Sequence, residues 1–118
     1  MGKHNPVKDL SYEFALNIVE TVRLVQKQEK EYILTKQCLR SGTSIGANIE
    51  EAVGAQSRRD FISKMSISYK EARETHYWLR LMRDARYLDK AVSDDLLNSC
   101  DELIRLLTSI IKTSKATI

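Results

Sequence analysis

The chain has 118 residues, with 19 Lys and Arg against 16 Asp and Glu, a formal charge of +3, one proline and four glycines. That length supports one ordinary domain whose folding hides roughly two thirds of the unfolded surface. So small a charge surplus excludes identifying a nucleic-acid protein from net charge alone, and so few breakers exclude a turn-rich sheet fold in favour of an almost wholly helical one.

The N-terminal stretch MGKHNPVKDLSYEF lacks the apolar run of a signal peptide, and no segment has enough uninterrupted apolar residues to span a bilayer. The expectation is a cytoplasmic protein with no membrane attachment.

The first helix is expected over about residues 6–26. Asn5 or Asp9 can cap its N-terminus, and Pro6 suits a first turn. Leu10, Phe14, Ile18, Val22 and Val25 then recur at helical spacing up to a polar run, Gln26 to Glu31, read as the first loop.

A second helix, about 32–54, carries Leu34, Cys38, Ser41, Ile45, Asn48 and Ala52 on one face and ends at Gly54. Gly42 and Gly46, with Ser41, Ser44 and Ala47 around them, make this helix thin enough for close approach by a bulky neighbour, with Tyr69, Tyr77 or Trp78 as the expected partner. Their G-x-x-x-G spacing signals dimerisation only inside a long apolar membrane helix, which this is not.

A third helix, about 57–87, starts at Ser57, whose relation to Asp60 resembles a capping box. At about 100° per residue, Phe61, Ile62, Met65, Tyr69, Ala72, His76 and Leu79 share one core arc. Ile67, Trp78, Leu81 and Ala85 gather within about 60° on a second flank. After a turn, a fourth helix over about 92–114, capped by Ser93 or Asp89, presents Leu96, Cys100, Leu103, Leu107 and Ile110 inward. Leu97, Ile104 and Ile111 widen that stripe.

Short polar connections between amphipathic helices favour a single all-α domain, an up-down-up-down antiparallel four-helix bundle. A longer helical hairpin that completes its core by dimerising ranks second. The extra apolar residues have two readings: they complete a wide core, or Ile67, Trp78, Leu81, Ala85, Ile104 and Ile111 form an oligomer interface anchored by the tryptophan.

Little in the chain points to catalysis or to a cofactor. The Glu-x-x-His pattern of a di-iron bundle fails, because Arg73 stands three residues before His76 and the other histidine, His4, is in the N-terminal tail. No metal is expected, and no nucleophile context, phosphate loop or H-E-x-x-H is present. Glu71 and Glu74 are expected to pair with Lys70, Arg73 or a neighbouring subunit, and His76 with Asn48 or a hydroxyl. Cys38 and Cys100 fall in apolar stripes as small buried hydrophobes.

Charge is uneven. From Arg58 to Lys90 there are nine basic and five acidic residues, a local +4, whereas the stretch from Ala91 holds three basic and four acidic, a local −1. Arg59, Lys70, Arg73 and Arg80, with Tyr77 among them, project within about 80° on the third helix. Such a row neutralises phosphates and offers a ring to an unpaired base; alternatively it is a solvated face of Arg–Glu pairs.

Leu34, Gln37, Arg40, Ser44-Ile45, Ala47-Asn48-Ile49 and Glu51 resemble the pattern LxxQxxRxxxSIxANIxEG of the bacterial four helix bundle protein family, also called the 23S rRNA intervening-sequence protein family. Arg59, Phe61, Glu71, Glu74-Thr75, Tyr77, Leu79 and Tyr87-Leu88 are similar to the family's third helix and following turn. Departures are Ala52, commonly glycine in the family, and Gly46, often proline.

The resemblance implies an antiparallel bundle that assembles into a homopentamer, like the accessory variability protein of diversity-generating retroelements, which binds a reverse transcriptase and nucleic acid through a basic surface. The leading expectation is therefore a non-enzymatic, oligomeric, RNA-associated protein with Arg40, Arg59, Lys70, Arg73, Tyr77 and Arg80 at the nucleic acid. The alternative is an adaptor or assembly module that binds a protein partner and has no nucleic-acid role of its own.

Overall fold

Four helices occupy most of the chain in the computed structural model, which describes residues 5–117: α1 (Pro6–Glu29), α2 (Ile33–Val53), α3 (Arg58–Asp84) and α4 (Lys90–Ala116). His4 lies outside the described residues. Three of the four N-termini are capped by short polar side chains that satisfy otherwise orphaned N–H groups. Asn5 accepts from Lys8 N at 3.2 Å, Ser57 from Asp60 N at 3.0 Å, and Asp89 from Val92 N at 2.8 Å.

α2 starts differently. Its flanking residue Tyr32 makes no side-chain cap. Glu31 instead takes the first-turn N–H groups, accepting from Ile33 and Leu34 at 3.0 Å each and from Thr35 at 2.9 Å. Burial pushes the Glu31 carboxyl up, but these backbone donors together outweigh it and hold the group below its ordinary range.

Two helix ends depart from the sequence expectation by three residues, and α4 is two residues longer than expected at each end. α1 runs on to Glu29, through residues expected as loop, because Gln, Lys and Glu are good helix formers whose polarity marks an exposed surface. Gln26 is also anchored, its Nε2 donating to Thr35 Oγ1 at 3.1 Å. α3 ends at Asp84, short of the expected 87. There Arg86 adopts a left-handed φ of 71° while its N–H bonds to Arg83 O and that of Tyr87 to Met82 O, a Schellman closure without the usual glycine.

The helices pack in chain order around a ring: α1 on α2, α2 on α3, α3 on α4 and α4 back on α1, with no close approach across the diagonals. Sequential neighbours run antiparallel, as cross-pairs such as Gln26 with Thr35, Ser41 with Thr75 and Ala72 with Cys100 require. Phe14, Ile18, Ile45, Ile49, Leu79, Met82, Leu103 and Leu107 are sealed in the centre. Full burial of each such side chain contributes about 1.5–3 kcal/mol.

The thin stretch of α2 faces α1, not the aromatic residues of α3. A Cβ on Gly42 would stand 3.0 Å from Ile18 Cγ2, and one on Gly46 would stand 3.3 Å from Ser11 Oγ. The α2–α3 seam is a row of small hydroxyls. Ser68 Oγ donates to Ile45 O at 2.8 Å, and Thr75 Oγ1 donates to Ser41 Oγ at 2.8 Å. With every such group paired, α2 and α3 fix their register without a buried polar cost.

Both cysteines are buried, and desolvation pushes each thiol up to about 12. Cys100 Sγ lies 3.3 Å from Ala72 O. No helix among the described residues is long and apolar enough to cross a membrane.

Candidate functional site

The inward side of α3 is fixed by Met65, Ser68, Ala72, Thr75, Leu79 and Met82, all buried. α2 covers one shoulder of the helix and α4 the other, which leaves an outward ridge. Arg59, Lys70, Arg73, Tyr77 and Arg80 all lie exposed on that ridge, as their shared helical phase requires.

Carboxylates near the ridge are engaged elsewhere. Arg40 reaches across from α2 to Glu71 at 3.4 Å and to Glu74, so the two acids pair with α2 and not with Lys70 or Arg73. Asp101 of α4 accepts from His76 Nε2 at 3.0 Å. His76 thus pairs with Asp101, while Asn48, its expected partner, donates back to Ser44 O at 2.8 Å.

The ridge cations make no direct carboxylate contact among the described residues; Arg80 feels Asp84 one turn further on, but that carboxylate is held by Arg83. Arg73 Nη1 donates to Tyr69 Oη at 3.1 Å, and its guanidinium carbon sits 5.9 Å from the Tyr69 ring centre. Arg80 Nε donates to His76 Nδ1 at 3.1 Å, with its guanidinium carbon 5.9 Å from the Tyr77 ring. The two ring nitrogens thus face different partners, Nδ1 toward Arg80 and Nε2 toward Asp101. Among the described residues, Arg59 and Lys70 form no ion pair. Four cations in one row with no carboxylate partner present a strongly anion-attracting surface.

Tyr77 is 50% exposed. It is braced from behind: the Trp78 ring meets it edge-on, with centroids 5.0 Å apart and planes at 71°. Trp78 Nε1 in turn donates to Glu74 at 2.9 Å, and Glu74 is held by Arg40. The braced ring, the ridge cations and the Arg40 network form one connected surface.

Arg40 stands apart from the other cations, on α2, with its charge shared between two carboxylates. The apolar residues fall on different sides of the ridge. Ile67 (40% exposed), Trp78, Leu81 and Ala85 follow the shoulder toward α2. Ile104 lines the open groove between α3 and α4 with Arg73, His76, Arg80 and Asp101. Ile111 continues that side of α4. Trp78, Ile104 and Ile111 are partly buried against the core, Leu81 is half-buried, and Ala85 is exposed.

Sequence reasoning left Tyr69, His76 and Asp101 out of this surface. The four-residue spacing of Tyr69 and Arg73 was a readable signal. Asp101 offered none, because its role arises only where α4 meets α3. No group of three or more His, Cys, Asp and Glu converges to hold a metal among the described residues.

Comparison with known proteins bears on this surface. The family model described as the 23S rRNA-intervening sequence protein matches residues 3–109. A protein with unknown function from the S23 ribosomal protein family of Bacteroides thetaiotaomicron has a similar crystal structure. The two share 50% sequence identity over 90% of this chain and 98% of that one, with a TM-score of 0.88. No curated protein matches the chain.

Proposed function

From the premise that the chain belongs to the 23S rRNA-intervening sequence protein family, we propose that it is a non-enzymatic, oligomeric, cytoplasmic protein that associates with RNA through the outer ridge of α3. The observation that carries this reading is the state of the ridge cations. Among the described residues, Arg59, Lys70, Arg73 and Arg80 have no carboxylate within ion-pair distance, while Glu71 and Glu74 are tied to Arg40, Asp101 to His76 and Asp84 to Arg83. A merely solvated face would pair its arginines with its own glutamates.

Self-association is supported by the apolar residues on either side of the ridge. Because the two sets lie on different shoulders of α3, contact between one set and the other set of a second copy is head-to-tail. Such a contact closes into a ring when its rotation allows, and the family resemblance implies five copies. Repeating the ridge around a ring multiplies the phosphate contacts available to one RNA.

Titrating a structured RNA against the protein at increasing salt tests the reading. Four phosphate contacts on a duplex give a log–log slope of about −3.6. Binding that stays flat with salt, or that survives Arg73→Glu with Arg80→Glu, rejects phosphate recognition.

The half-exposed Ile67 beside Trp78 favours a second reading, a protein-binding assembly module. Under it, Trp78→Glu dissolves the oligomer while charge reversal on the ridge leaves partner capture intact. Light scattering behind size exclusion reads the first effect.

A further inference from the structure

We infer that the α3 ridge takes a single unpaired RNA strand in preference to a duplex, with one base stacked on Tyr77 and flanking phosphates at Arg73 and Arg80; this rests on the proposed RNA association and specifies its substrate.

Tyr77 carries the inference. A surface that recognises phosphates alone has no use for a half-exposed aromatic ring, and this one is 50% open to solvent in the middle of the cation row. Its position is set by other groups: Trp78 packs against it in a T-shaped pair, Glu74 fixes the indole N–H, and Arg40 fixes Glu74. A ring so held loses little conformational freedom when a base settles on it. Arg80 covers one side of the ring at 5.9 Å, so the base takes the other side while the guanidinium stays beside it for a phosphate.

Arg73 repeats the arrangement one step along the helix, with its guanidinium beside the Tyr69 ring. Seven residues separate Arg73 and Arg80, about 10.5 Å along the helix axis. Two arginines at that separation, with a tyrosine between them, offer a strand phosphate, base and phosphate in alternation. Base–aromatic stacking tolerates any sequence, because every base has a π-face.

Shape argues against a duplex. The ridge is the convex outer side of one helix flanked by α2 and α4, and the deep, narrow major groove of A-form RNA does not admit it. A duplex also keeps its bases stacked on one another and leaves Tyr77 without a partner. The unpaired strand is the form of RNA that uses both the cations and the ring.

The test is fluorescence anisotropy with a labelled oligouridine or oligoadenosine RNA strand, free and annealed to its complement, against the full chain and four variants. These are Tyr77→Ala, Tyr77→Phe, Lys70→Ala, and Arg73→Glu with Arg80→Glu. The free strand should bind at least about tenfold more tightly than the duplex. Tyr77→Ala should weaken the free strand by about tenfold to a hundredfold while barely moving the duplex, and Tyr77→Phe should retain most of the affinity. The arginine pair should weaken both forms strongly and Lys70→Ala both forms by a smaller, equal factor; a Lys70→Ala loss confined to the free strand counts against Tyr77 as the discriminating group. Equal binding of strand and duplex, or a Tyr77→Ala protein that binds the free strand as well as wild type, overturns the inference while leaving phosphate recognition standing. No binding of either form by the wild-type chain rejects both readings. Tyr77 is exposed, and an unchanged circular-dichroism melt confirms that its variants fold.

Discussion

Arg40 on α2 and Glu74 on α3 are joined across the bundle surface, and the same Glu74 oxygen that accepts from Arg40 also accepts from the Trp78 indole. Two residues 34 positions apart in sequence thus set the orientation of the only tryptophan. The network serves assembly of the surface first, and the charge that Arg40 could lend to phosphate is already shared.

Removing that arginine leaves Glu71 and Glu74 one turn apart as like charges on one helix. Arg40→Ala should cost about 1 kcal/mol at low ionic strength, less in high salt, because the groups are partly exposed and screened. Urea unfolding at two salt concentrations measures it. Combined with Glu74→Gln, the loss should be smaller than the sum of the single effects. Arg40→Ala should also weaken RNA binding less than Arg73→Ala.

Gly42 and Gly46 should respond differently to alanine. Either substitution gains about 1 kcal/mol of helix propensity. At Gly42 the new methyl meets the fully buried, branched Ile18 at 3.0 and 3.1 Å, where close-packed surroundings leave no room to give. Gly42→Ala should therefore be destabilising by about 1–2 kcal/mol net. Gly46→Ala meets only the Ser11 hydroxyl at 3.3 Å and that residue's backbone further off, so it should be neutral or slightly stabilising. Thermal melts of the two variants compare them directly.

Glu31 makes the start of α2 sensitive to acid. Its folded-state pKa is lowered, so its contribution is fully present above the ordinary glutamate value of 4.5 and is lost as pH falls through the folded value. Glu31→Gln should cost about 1 kcal/mol near neutrality, the usual worth of a helix cap. The gap between wild type and variant should narrow as the pH drops below 4.5, which urea titrations across that range follow. A gap that widens on acidification would contradict the assigned role.

Arg86 holds the left-handed position that closes α3, with a φ of 71°. A side chain there costs about 1 kcal/mol that glycine avoids. Arg86→Gly should raise the melting temperature, whereas Arg86→Val, whose branched side chain tolerates the conformation least, should lower it.

Much of the fold was legible because helical periodicity is local. Phe14, Ile18, Ile45, Met65, Ala72, Leu79, Cys100, Leu103 and Leu107 fall on the expected faces, and Ser57 caps α3 as expected, while the structure selects Asn5 over Asp9 and Asp89 over Ser93 as the other caps. The departures have two local causes. Polarity marks exposure as well as turns, so the polar helix formers at Gln26–Glu29 read as a loop, and α3 closes on an arginine where a glycine would announce the end.

The sequence by itself determined four amphipathic helices, their order, and a row of cations in phase with Tyr77, since all of these depend on the 3.6-residue repeat within one segment. Only the tertiary structure decided which charges stay free. Arg40 lies next to Glu74 and His76 next to Asp101 because separate helices pack at one register, and spacing along a chain carries no information about a neighbour that arrives from another helix. The same packing turned the thin side of α2 toward Ile18 and not toward the aromatic residues of α3, because α1 is the neighbour on that side and its register carries Ile18 to Gly42.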